Sequence, residues 1–202
     1  MKSPNPLGPL KRKILTGDEA IHRAGSSLQP TVGGFWSWAY SNLAANNLRG
    51  HFAEYLVATD IGADHTPRTE WDAYDLKSPT GVKIEVKSAA YLQSWEQTGL
   101  SKISFNIAPS QGWNDEINAR SSEVKRQSDV YVFCLLHHKD KPTLDPTNVE
   151  QWSFYVLKTE YLDEAMPMQK TMTLAALERL KPASCRYGEI AKTIELIMQP
   201  TT

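Results

Sequence analysis

Between Trp71 and Tyr91 the sequence runs WDAYDLKSPTGVKIEVKSAAY, concentrating carboxylates and amines on a stretch patterned for a β-hairpin. Along a strand side chains alternate faces, so Val82, Ile84 and Val86 share one side while Lys83, Glu85 and Lys87 share the other. Ser78-Pro79-Thr80-Gly81 is turn chemistry. A hairpin symmetric about Thr80 pairs residues whose numbers sum to 160, which sets Asp75 opposite Glu85. Cβ atoms of opposed residues lie about 4.5–5.5 Å apart, and two carboxylates at that distance repel each other. A divalent cation between them reverses the sign of that interaction. Mg²⁺ takes one or two protein carboxylates and completes its shell with water and phosphate oxygens. Lys87, one pleat further on the same face, is placed to hold a water or to balance charge growing on a phosphate. The set suits phosphodiester hydrolysis. Glu-x-Lys alone is common on wet strand faces. Asp75 beyond the turn, the less polar continuation through Ala89 and Tyr91, and a third acid at Glu54 set this hairpin apart. Asp72 is the alternative acid; strand parity and the following Leu76 favour Asp75.

The elements that must position these groups follow from periodicity. A helix is expected over residues 38–59, stopped near Gly62, with Leu48, Phe52, Tyr55, Leu56 and Thr59 as its core-facing stripe. Glu54 lies round from that stripe, beside Asn47, Gly50, His51 and Ala58. Strands are expected over 71–76, 82–92, 103–108, 130–136 and 152–157, and a short helix over 114–126 carrying Arg120, Lys125 and Arg126. Val130–Leu136 is apolar on both faces, as a central covered strand must be. Two helical patterns, 171–180 and 187–198, close the chain. Residues 1–35, with four prolines and the Lys11-Arg12-Lys13 cluster, are expected to form a weakly ordered arm with one short helix over 17–24. Residues 36–202 then make one domain, with a core over about 40–157 and a helical extension over 158–202. The order of elements implies an α/β fold on one central mixed sheet flanked by helices.

Glu54 on a helix, Asp75 on a strand, a short turn, then Glu85-Val86-Lys87 on the returning strand resembles the PD-(D/E)XK nuclease superfamily. The resemblance spans residues 45–135, and Tyr74 stands where that motif often carries proline. It implies a restriction-endonuclease-like core and a Mg²⁺- or Mn²⁺-dependent deoxyribonuclease of the restriction, defence or repair type. Asp75 and Glu85 would be metal ligands, joined by the Val86 carbonyl. Lys87 would orient or activate the attacking water, and Glu54 would be an auxiliary acid. Gln93 would orient the lysine or meet substrate. Lys83, Arg120, Lys125 and Arg126 are candidate phosphate contacts. A homodimer or a partner subunit is a further expectation from the family.

Other chemistries find little support. Formal net charge is −1, so any attraction for nucleic acid must be local. The two cysteines, Cys134 and Cys185, lack partners at zinc-ligand spacing and give no disulfide framework, which fits a reducing, cytoplasmic setting. No nucleophile elbow or glycine-rich phosphate loop is present, and the longest apolar run, seven residues, is too short to span a membrane. The rival expectation is a non-catalytic nucleic-acid-binding or assembly protein on a nuclease-like fold.

Overall fold

A computed structural model of the chain describes residues 10, 13–68, 73–114 and 119–199. The chain divides into two units, Met1–Ser41 with Asp64–Arg68, and Asn42–Ala63 with Thr69–Thr202.

In the smaller unit β1 (Ala20–Arg23) and β2 (Ser26–Thr31) form an antiparallel hairpin, followed by α1 (Val32–Tyr40). The helix expected over 17–24 is therefore replaced by a strand, whose groups pair with β2 across the Ala24-Gly25 turn. Thr31 caps α1 by accepting from the Gly34 N–H at 3.1 Å. The single helix expected over 38–59 is two helices. The chain turns at Asn42, whose carbonyl accepts from Ala45, before α2 (Asn46–Asp60) begins.

The larger unit is built on a five-stranded mixed sheet. Its strands are β3 (Leu76–Lys77), β4 (Lys83–Ala90), β8 (Val130–Leu136), β9 (Trp152–Lys158) and β11 (Ala183–Cys185), in spatial order β11-β9-β8-β4-β3. Only β4 and β8 run parallel; every other pairing in the sheet is antiparallel. β8 is buried along its whole length, as its unbroken apolar sequence requires.

Each face of the sheet has its own core. On one, Ile84, Val86 and Ala90 meet Ala53, Leu56 and Val57 of α2, and α5 (Ile190–Met198) adds Ile190 and Ile194. α2 ends near Gly62 as expected: Gly62 adopts φ +67°, and the Ala63 N–H closes on the Ala58 carbonyl at 2.8 Å. Its buried side is Arg49, Ala53 and Leu56–Ala58, turned from the expected stripe so that Tyr55 faces solvent. On the other face Ala89, Tyr131, Phe133 and Leu135 are covered by β5 (Ser104–Asn106), β10 (Thr171–Thr173), α3 (Thr159–Ala165) and α4 (Leu174–Arg179).

The described part of the expected 114–126 helix, residues 114 and 119–126, is not helical. β6 (Ser110–Asn114) and β7 (Ala119–Lys125) pair as an antiparallel hairpin instead. The segment has no apolar stripe at helical spacing to bury, and Val124 is 60% exposed. Among the described residues no helix is long and apolar enough to cross a membrane, and both cysteines are free, buried thiols.

Candidate active site

The site starts from one tight reversal. The Gly81 N–H donates to the Ser78 carbonyl at 2.9 Å, and the Ser78 N–H donates to the Val82 carbonyl at 2.9 Å. Pro79 takes the first inner turn position, while Gly81, at φ +93°, supplies the left-handed residue that this loop demands. The resulting register pairs Leu76 with Ile84 and Lys77 with Lys83, the symmetry about Thr80 expected from the sequence.

Beyond Leu76 the ladder ends earlier than expected, because the chain bends at residues 73–75. Asp75 keeps one main-chain bond, its N–H to the Ile84 carbonyl at 3.1 Å. Its carboxylate folds onto the rim of β4, where Oδ2 accepts from the Val86 N–H at 2.7 Å. The N–H and C=O of one strand residue point to the same side, so the Val86 carbonyl also leaves β4 towards this rim. Glu85 and Lys87, on the face opposite α2, form an ion pair of 2.5 Å with side chains only 20% and 25% exposed. Glu54 is half-buried on α2.

These charges feel one another. Burial pushes the Asp75 carboxyl up to about 7, reinforced by the negative charges of Glu85 and Glu54 and opposed by Lys87 and the Val86 N–H. Burial alone would pull the Lys87 ammonium down, but Glu85, Asp75 and Glu54 outweigh it and hold it above its ordinary value. Tyr131, beside Glu85 in the β4–β8 register, is pushed up by burial and then by Glu85. Two acids and an amine thus stand partly buried at the rim of β4, with unfavourable carboxylate repulsion between the acids. Among the described residues no three His, Cys, Asp or Glu side chains converge as a metal cluster. Asp72 lies outside the described residues.

The other expected site residues are dispersed. Gln93 is buried, its amide donating to the Ala90 carbonyl and Ser101 and accepting from Arg49. Lys83 is exposed, its ammonium 5.6 Å from the Tyr74 ring centroid. Lys125 is exposed and pairs with Glu123 at 2.7 Å. Arg120 lies on β7 in register with Trp113. Arg126 is a correction: its side chain is wholly enclosed, donating to the Ile107, Met166 and Gln169 carbonyls and pairing with Asp163 at 2.5 Å. It fastens the α3–β10 connection rather than facing a phosphate.

Sequence reasoning missed Arg49. This buried cation on α2 donates to Ser88 on β4 at 3.2 Å, Gln93 at 3.2 Å, Asn46 at 2.5 Å and the Ala44 carbonyl at 3.4 Å. It ties the helix bearing Glu54 to the residue after Lys87. The available signal was limited to an arginine one turn before the small residue Ala53, since the sequence does not show which side of α2 turns inward.

Among curated proteins none matches the chain. The family model described as bacteriophage T4 endonuclease IV matches residues 38–176, a span containing Glu54, Asp75, Glu85, Val86, Lys87 and Gln93. With well over half of its length matched, the chain belongs to the bacteriophage T4 endonuclease IV family.

Proposed function

We propose that the protein is a DNA endonuclease of the PD-(D/E)XK superfamily that hydrolyses phosphodiester bonds with Mg²⁺ or Mn²⁺ at Asp75, Glu85 and Lys87. The observation carrying this is the Asp75 carboxylate folded against Val86 beside Glu85, raised to about 7 by burial and by the neighbouring acids. Hard oxygen donors that are partly buried and repel one another fit a small divalent cation. Asp75, Glu85 and the Val86 carbonyl would hold it, with water and a phosphate oxygen completing the shell. When bound, such an ion neutralises charge on the scissile phosphate and lowers the pKa of its water.

The chain's own groups do the rest. Lys87 keeps its proton at neutral pH and donates, orienting the attacking water or meeting a non-bridging oxygen. Glu85 holds that ammonium in place. Glu54 contributes negative charge from α2, and Arg49 with Gln93 fixes α2 against β4. Two free, buried thiols suit a reducing, cytoplasmic compartment.

Plasmid nicking with and without Mg²⁺, alongside Asp75→Ala, Glu85→Ala and Lys87→Ala, tests the proposal. We expect loss of nicking on chelation and a fall of at least about 100-fold for each variant, with circular dichroism unchanged. Undiminished nicking by all three variants overturns it.

A further inference from the structure

The hairpin carries a second cross-strand pair that the hydrolytic chemistry does not use. Lys77 and Lys83 are direct partners in the β3–β4 register, so their side chains leave the same face of the sheet. Both are exposed. Like charges placed directly opposite one another destabilise a hairpin, and the turn allows no slip that would separate them. Among the described residues neither ammonium has a carboxylate partner. Asp129, the acid beside Lys83, is occupied elsewhere: its Oδ2 accepts from the Lys83 backbone N–H at 2.8 Å. The Lys83 ammonium stands 5.6 Å from the Tyr74 ring centroid. The Lys77 stem lies back over the turn at Gly81.

This cationic rung bears a fixed relation to the acids. Lys83 and Glu85 are two residues apart on β4, a separation of about 6.6–6.8 Å along the strand and on one face. That is close to the step between neighbouring phosphates of a nucleic-acid backbone. We infer that Lys77 and Lys83 together bind the phosphate next to the scissile one, and so set the direction in which a DNA strand crosses the hairpin. The inference rests on the nuclease function proposed above. It adds a substrate subsite, assigns Lys77, and explains why a repulsive pair stands beside the acids.

The test uses a fluorescein-labelled DNA duplex and the full-length chain carrying Lys87→Ala, which is to bind without cutting. Lys77→Gln, Lys83→Gln and the double substitution are added, with Kd read by anisotropy across a salt series in Mg²⁺. We expect the double variant to bind at least several-fold more weakly, with a log–log salt slope shallower by roughly 1. Its melting temperature should be unchanged or higher, because a repulsion has been removed. On the wild-type background, a methylphosphonate at one neighbour of the mapped cleavage site should raise KM more than it lowers kcat. That penalty should vanish in the double variant. Equal affinity and salt slope, absence of binding by every protein, or a methylphosphonate penalty that persists undiminished overturns the inference. Failure of the wild-type chain to nick plasmid bears on the hydrolytic function instead, because the anisotropy series needs no cleavage.

Discussion

Asp75 has a structural task in the fold and, under the proposed function, a chemical one. Its carboxylate satisfies the Val86 N–H that β3 is too short to reach, while Glu85 and Glu54 press on its charge. The folded-state pKa, about 7, lies above the ordinary 3.8. Protonated Asp75 is therefore the form that the metal-free fold prefers. Its contribution to stability is complete below about pH 4 and disappears as pH rises through about 7. In chelator, melting temperature should fall across that interval, and Asp75→Asn should flatten the fall. Mg²⁺ should raise the melting temperature more at pH 8 than at pH 5, since only the ionised carboxylate binds it. Calorimetry across pH with and without Mg²⁺ checks both statements. Lys87 shifts upward as well, so at neutral pH it is a donor and not a base.

At the scale of elements, what was legible in the sequence tracks how local its cause is. The β3–β4 hairpin was readable because Pro79, Gly81 and strict alternation specify it within a dozen residues. β8 was readable because a run of seven apolar residues must be covered on both sides. The β6–β7 segment was less legible: its lack of an apolar stripe argues against a helix, but the strands appear only through a pairing that sequence alone does not align. α2 was found, but its inward side was not, since an arginine occupies a core position and Tyr55 an exposed one. Arg49 is tolerated there because its bonds reach residues about 40 positions away, Ser88 and Gln93. Arg49→Ala should cost about 2–4 kcal/mol in urea unfolding, the usual result of leaving several buried polar groups without partners. Arg49→Lys should recover part of this, and both should lower cleavage by loosening Lys87 and Glu54 relative to one another.

For the molecule as a whole, the candidate site depends on a sheet covered on both faces. Phe133 is the β8 partner of Lys87 and packs against Phe105 at a centroid distance of 5.1 Å and Tyr131 at 5.6 Å. Phe133→Ala should cost about 3–5 kcal/mol, measured by denaturant titration, and should lower activity on warming well before the other substitutions do. Under the proposed function a near-neutral chain must concentrate its attraction for DNA, and the Lys77–Lys83 pair would do so within a few residues of the acids. The Ser78–Gly81 connection also limits sequence change. A one-residue slip of the β3–β4 register would turn the acids and lysines of one strand to the wrong side together, so any inserted residue has to be absorbed inside the loop. Identity is constrained there too, because Gly81 at φ +93° holds a conformation that other side chains rarely adopt.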